Sequence, residues 1–107
     1  MKTENTKAQM RKGVLEYCIL LLLREKPQYA INIIQMLKES KMIVVEGTLY
    51  PLLTRLKNDG FLKYRWEEST QGPPRKYYQL TDEGSEFLGE LEDSWNELVE
   101  AVDRIHN

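Results

Sequence analysis

The sequence predicts a mainly α fold with one small β-hairpin, arranged as a winged helix-turn-helix followed by a long C-terminal helix. Three observations predict it. Leu49, Leu52, Leu53 and Leu56 fall at i, i+3, i+4 and i+7, one apolar face of a helix. Between Leu62 and Leu80 two stretches alternate with period two around a Gly-Pro-Pro turn. Leu88, Leu91, Trp95, Leu98, Val102 and Ile105 then recur every three or four residues, the spacing of a helix seam. Residues 1–80 are expected to form the winged helix-turn-helix, and 81–107 a helix used for dimerisation.

In order along the chain, residues 1–6 are polar and expected to fray. From about Lys7 to Lys26 the pattern is helical. It begins amphipathic with Met10, Val14, Leu15 and Cys18 and becomes apolar all round by Leu20–Leu23. A helix apolar on every side must be covered on every side, which suggests a partner subunit. Pro27 ends it. Tyr29–Ser40 reads as a second helix on Ala30, Ile33, Ile34 and Leu37. Lys41–Val45 is β-branched and short, a strand or buried connector. The third helix spans about residues 47–59, and Gly60 offers the left-handed conformation that stops it. Leu62, Tyr64 and Trp66 alternate with Lys63, Arg65 and Glu67, and Lys76, Tyr78 and Leu80 with Arg75, Tyr77 and Gln79. Residues 61–80 are therefore a hairpin, the wing. Thr81 suits the N-cap of the last helix, with Asp82 and Glu83 in its first turn. That helix would be about 38 Å long at ~1.5 Å per residue, more than a domain this small needs.

The chain has 107 residues, 41% hydrophobic, with net charge −2. The average hides a division: residues 1–80 carry a net +6 and residues 81–107 a net −8. A basic body with an acidic tail offers two surfaces to different partners. The lone cysteine, Cys18, lies in an apolar run and reads as a buried, inert thiol. That run is too short to span a membrane, which takes about 20 residues, and no signal-peptide core precedes it. A reducing cytoplasm is expected, with no membrane. The sole histidine is His106. Without a His/Cys cluster, a phosphate loop or a nucleophile–base pair in the sequence, no catalytic residue, metal or cofactor is expected.

Thr48-Leu49-Tyr50-Pro51-Leu52-Leu53-Thr54-Arg55-Leu56, then Gly60-Phe61-Leu62, then Gly72-Pro73-Pro74-Arg75-Lys76-Tyr77-Tyr78-Gln79-Leu80-Thr81-Asp82-Glu83-Gly84 resemble the PadR family of bacterial winged-helix transcriptional regulators. The resemblance extends over nearly the whole chain. The single short C-terminal helix is similar to the family's small second subfamily, which includes a multidrug-sensing member. The resemblance implies a homodimeric repressor on a pseudo-palindromic operator in double-stranded DNA, released by a small molecule. Two positions depart from the family pattern. Val45 stands where a capping Ser or Asn is usual, so Thr48 is either the cap of a later-starting helix or a base contact. Ala30-Ile31 replaces the usual Gly-Tyr.

For DNA, the start of the third helix supplies Thr48, Tyr50, Pro51 and Thr54 as base contacts. Tyr50 has an alternative role packing on the wing. Arg55 and Lys57 suit phosphates, Arg55 competing with an internal pair to an acid such as Glu46. Arg75 and Lys76 follow a stiff Gly-Pro-Pro tip that lowers the entropy cost of presenting two cations. Lys7, Arg11 and Lys12 could reach flanking phosphate. Lys63 and Arg65 could instead pair with Glu67 or Glu68. For an effector, the resemblance points to Met10, Tyr17, Leu91 and Trp95 as the lining of a flat pore that takes a planar aromatic molecule, with Glu92, Glu97 and Glu100 favouring a cationic one. The alternative for Trp95 is filling the dimer core. A ligand- or protein-binding module that keeps this fold without reading DNA is the competing function.

Overall fold

The structure is a computed structural model that describes residues 2–42 and 44–107. Its elements are α1 (Lys2–Leu23), β1 (Gln28–Tyr29), α2 (Ala30–Glu39), α3 (Glu46–Asn58), β2 (Leu62–Glu67), β3 (Arg75–Leu80) and α4 (Asp82–His106). The winged helix-turn-helix with a long last helix is as expected. Four details differ. Residues from Lys2 onward are helical, where fraying was expected, and α1 stops at Leu23 rather than Lys26. Tyr29 belongs to a strand, and α2 begins at Ala30. The segment read as a strand or connector, Lys41–Val45, includes Ile43, which lies outside the described residues.

The core forms where the apolar stripes of α1, α2 and α3 meet the sheet. Leu15, Ile19, Leu20 and Leu23 of α1, Ile33, Ile34 and Leu37 of α2, and Leu49, Leu53 and Leu56 of α3 are buried together with Leu62, Tyr78 and Leu88. Ile19 and Leu20 are fully buried by their own chain. Leu21 and Leu22 stay half-buried, so the single chain covers one side of this apolar end and leaves the other partly open.

The sheet has three antiparallel strands in the order β1-β3-β2. The β2–β3 hairpin pairs Leu62 with Leu80, Tyr64 with Tyr78 and Trp66 with Lys76 on one face. Side chains alternate across a sheet, so Lys63, Arg65, Glu67 and their partners take the other face. The third strand is a two-residue addition: Gln28 pairs with Tyr78 and Tyr29 with Tyr77.

Helix ends are set by local chemistry. After α2, Lys41 takes φ 67°, and the N–H groups of Lys41 and Met42 donate to the carbonyls of Lys38 and Leu37. After α3, Gly60 takes φ 87°, and Gly60 and Phe61 donate to Lys57 and Leu56. Both are left-handed C-terminal caps, the second at the predicted glycine. Thr81 caps α4 as expected: its hydroxyl accepts from the Gly84 N–H at 2.9 Å. The same hydroxyl donates to the Gly60 carbonyl at 2.6 Å, which ties the start of α4 to the end of α3.

Leu88, expected in the dimerisation seam, is instead buried in the core of its own chain, with Leu91 half-buried beside it, and beyond them α4 runs along α1 with its seam increasingly exposed. Exposure along the seam rises from 39% at Trp95 to 84% at Ile105. The Cα radius of gyration is 15.4 Å, against about 13 Å for a compact domain of this length. No described helix is long and apolar enough to cross a membrane.

Candidate nucleic-acid interface

The leucine face of α3 is buried, which fixes its other side outward. Leu49, Leu53 and Leu56 are fully buried and Leu52 is half-buried. The polar arc then divides between two neighbours. On one flank, Tyr50 and Thr54 line a hollow of about 340 Å³ together with Ala30, Arg75, Lys76 and Tyr78. On the other, Thr48, Pro51 and Arg55 line a groove of about 380 Å³ with Lys12 and Glu16 of α1. The helix stands between the wing and α1, with its residues shared out to both.

The helix starts at Glu46 with Val45 as the N-cap, in extended conformation and without a side-chain capping bond. The backbone N–H groups of Thr48 and Leu49 both donate to the Val45 carbonyl. Thr48 therefore lies inside the first turn and is not the cap. Thr54 is the residue whose hydroxyl proton is committed locally, donating to the Tyr50 carbonyl at 3.1 Å. Its methyl group and oxygen lone pairs stay available to an outside partner. Pro51 sits inside the helix, so the Gly47 carbonyl four residues back loses its usual helical donor.

The cations are held in two ways. Arg55 Nη2 lies 3.1 Å from Glu16 Oε2 of α1, and Arg65 Nε 2.9 Å from Glu67 Oε1. The internal acid expected to compete for Arg55, with Glu46 as the example, is Glu16, because Arg55 projects toward α1. Lys76 Nζ sits 4.6 Å from the Tyr64 ring centre and 5.5 Å from that of Trp66. Lys57 Nζ lies 5.7 Å from the same Tyr64 ring. Arg75 is exposed at the outer end of β3. It follows a turn in which Gly72 has φ 127° and the Ser69 hydroxyl accepts from the Gln71 N–H. Lys7 and Lys12 are exposed on α1, and Arg11 and Lys12 line a further hollow with Val45 and Thr48.

A second, apolar site lies between α1 and α4. Met10 and Val14 face Trp95, Leu98, Val99 and Val102 across an open groove of about 600 Å³. An adjoining hollow of about 140 Å³ is lined by Tyr17, Leu91 and Ser94, and Trp95 borders both. The Tyr17 and Trp95 ring centres are 6.3 Å apart. Of the four residues named from sequence, Met10, Tyr17 and Leu91 thus gather around the fourth, Trp95. Partial burial, followed by the Glu92 carboxylate, raises the Tyr17 phenol pKa, against an opposing effect of Arg24. Cys18 is half-buried, and burial raises its thiol pKa, so the thiolate is suppressed. Among the described residues no group of three or more His, Cys, Asp or Glu could hold a metal.

Sequence reasoning missed three parts of this arrangement. The Glu16–Arg55 pair is 39 residues apart in the chain, and no local pattern announces it. Strand β1 is two residues long, too short to show alternation. The aromatic seat of Lys76 was legible in principle, since hairpin register places Trp66 opposite Lys76.

Comparison with known proteins agrees with this geometry. The family described as Transcriptional regulator PadR-like family matches residues 19–90. The solved structure of a PadR-like transcription factor from Bacteroides fragilis is 70% identical, covers 94% of this chain and 98% of its own, and superposes with a TM-score of 0.79. A PadR family transcriptional regulator from Eggerthella lenta is 34% identical over 96% of this chain and 90% of its own, with a TM-score of 0.89. An uncharacterised protein from Lysinibacillus sphaericus is 32% identical over 95 residues, 86% of this chain and 87% of that protein. The family is one of regulators rather than enzymes. A helix-turn-helix with its wing and a match over most of the chain lead to one conclusion: the protein belongs to the PadR-like family of transcriptional regulators.

Proposed function

We propose that the protein is a homodimeric, ligand-responsive repressor that acts in the cytoplasm on a pseudo-palindromic operator. The observation that carries this is the convergence of Tyr50, Thr54, Arg75 and Lys76 on one hollow between α3 and the wing. Groups able to touch base edges and groups able to neutralise phosphates share a single concavity there. Thr48 and Pro51 extend the base-reading surface toward α1. Arg55 and Lys57 flank it as phosphate contacts, Arg55 after exchanging Glu16 for a phosphate.

Dimerisation is supported by α4. Trp95, Leu98, Val99, Val102 and Ile105 are all exposed, an apolar stripe that a second copy would cover. Two copies would set their α3 helices about 34 Å apart along one face of the duplex. A planar aromatic effector fits the groove between α1 and α4, where Trp95 offers a ring face and Glu92, Glu97 and Glu100 lie on the same helix. Its effect on operator affinity would be a coupling of about 1–3 kcal/mol.

The test is salt dependence. Wild-type protein selects duplexes from a random-sequence pool, and binding to the enriched duplex is followed against salt. Arg75→Ala combined with Lys76→Ala should weaken binding and lower the slope by about two units, one per phosphate contact. An unchanged slope removes the wing from the interface. Quenching of tryptophan fluorescence by planar aromatic compounds should vanish in Trp95→Ala and survive in Trp66→Ala.

A further inference from the structure

The wing face turned toward α3 is built mostly of aromatic rings. Tyr64 lies between Tyr78, at 5.7 Å, and Trp66, at 5.9 Å and edge-on. Tyr78 is buried and belongs to the core. Trp66 is 61% exposed and contributes little there. Its cross-strand partner is Lys76, whose ammonium rests over both Trp66 and Tyr64. The Tyr64 ring also receives Lys57 from α3. One ring therefore stands between a cation of the helix and a cation of the wing.

How these cations are held separates them from the arginines. Arg55 and Arg65 are each paired with a carboxylate, which neutralises the guanidinium even though Arg65 also lies 4.7 Å over the Tyr77 ring. Among the described residues, Lys57 and Lys76 have no carboxylate within ion-pair distance. A ring face attracts a cation through its quadrupole and carries no net charge. It orients the lysine and leaves its full charge for an outside anion. A lysine already held over a ring also loses less rotamer freedom when it meets a phosphate.

We propose that Tyr64 and Trp66 are positioning residues for DNA binding: an aromatic platform that holds Lys76 of the wing and Lys57 of α3 in set positions for the phosphate backbone. The proposal rests on the α3–wing hollow being the DNA interface. Trp66 acts through Lys76 and does not itself touch DNA. The platform also fixes the spacing of wing and helix, because Tyr64 contacts a cation from each.

The test uses the full-length protein and a mixed-sequence duplex, with Kd measured by anisotropy across a range of salt. Trp66→Leu should fold normally, since the side chain is mostly exposed, and should weaken binding about fivefold. Trp66→Phe should recover most of that loss. The salt slope should stay unchanged in Trp66→Leu, where both charges remain, and fall by about one unit in Lys76→Ala. In a Lys76→Ala background, Trp66→Leu should cause no further loss. Full binding by Trp66→Leu, or a loss that multiplies with that of Lys76→Ala, overturns the platform. In the free protein, the ε-methylene protons of Lys76 should be shielded by the rings, and the shielding should drop in Trp66→Leu. Unshielded protons in the wild type overturn the platform and leave the interface standing. Lys76→Ala with unchanged affinity and slope overturns the wing's part in the interface, and the platform with it.

Discussion

Replacing Gly84 by alanine should destabilise the protein by about 2 kcal/mol, although the same change in an open helical position stabilises. Gly84 is buried in the first turn of α4. A Cβ there would collide with the Phe61 carbonyl oxygen and come within 3.0 Å of its carbon and 3.3 Å of Leu80 Cδ2. The carbonyl cannot swing aside freely, because it accepts the Thr81 N–H at 3.2 Å. Relief requires α4 to move off the α3–β2 corner. That strains the Thr81 cap, worth about 1 kcal/mol, and the Thr81–Phe61 hydrogen bond, worth about 1 kcal/mol. It also disturbs the Phe61–Phe87 stack, with ring centres 4.1 Å apart, worth about 1 kcal/mol. Alanine returns about 1 kcal/mol of helix propensity. The net loss corresponds to a fall in Tm of about 8 °C for a chain of this size. At Gly89, five residues on, an added methyl group would meet nothing within 4 Å, so Gly89→Ala should raise Tm by about 3 °C. Thermal unfolding by circular dichroism reads both variants. A Gly84→Ala protein that melts at or above Gly89→Ala refutes the packing account of this corner.

Three further outcomes are expected. Lys41→Gly should stabilise by up to about 1 kcal/mol in denaturant titration, because Lys41 holds a left-handed φ of 67° that glycine adopts without strain. Glu16→Gln should cost less than about 1 kcal/mol of stability, since the pair with Arg55 is largely solvated, with side-chain exposures of 29% and 60%. It should tighten DNA binding a few-fold in the same anisotropy assay by removing a competitor for Arg55. Burial, then the neighbouring Tyr64 and Tyr50, raises the pKa of Tyr78 in the folded state. A raised folded pKa contributes stability that is fully present below the unfolded value near 10 and is lost as pH rises through the folded value. Denaturant midpoints should therefore fall above about pH 10, and Tyr78→Phe should flatten that fall.

The leucines of α3, the hairpin alternation, Gly60 and the Thr81 cap are legible in the sequence because each is a local rule written in adjacent residues. What is not legible depends on distance or on competition. Val45 argues for a start of α3 at Thr48, yet the helix begins at Glu46 without a side-chain cap. The Thr48 and Leu49 N–H groups both donate to the Val45 carbonyl, so the backbone closes the first turn before Thr48 can act as a cap. In the apolar run Leu20–Leu23, Leu20 and Leu23 are buried within the chain while Leu21 and Leu22 stay half-buried. Composition shows how much apolar surface exists and not which element covers it. The most exposed apolar stripe lies on α4, where heptad spacing marks it. For the site, side-chain types and the face of α3 are readable. The division of that face between wing and α1 is not, because it follows from where α1 crosses.

That crossing makes α1, among the described residues, the one helix that meets both surfaces. Lys12 and Glu16 line its groove with α3, while Met10 and Val14, roughly a third to a half of a turn around the helix, line the groove with α4. A ligand that wedges between Met10 and Trp95 would displace α1 and carry Glu16 with it. Arg55 would then gain or lose its carboxylate, and the charge α3 presents would change without any movement of α3 itself. Spatial adjacency alone does not establish coupling, so the two routes need separating. If the signal passes through this ion pair, Glu16→Gln should leave effector binding intact, as read by Trp95 quenching, and remove most of the effector's influence on DNA affinity. If the influence persists, it takes a route other than this ion pair, through α4.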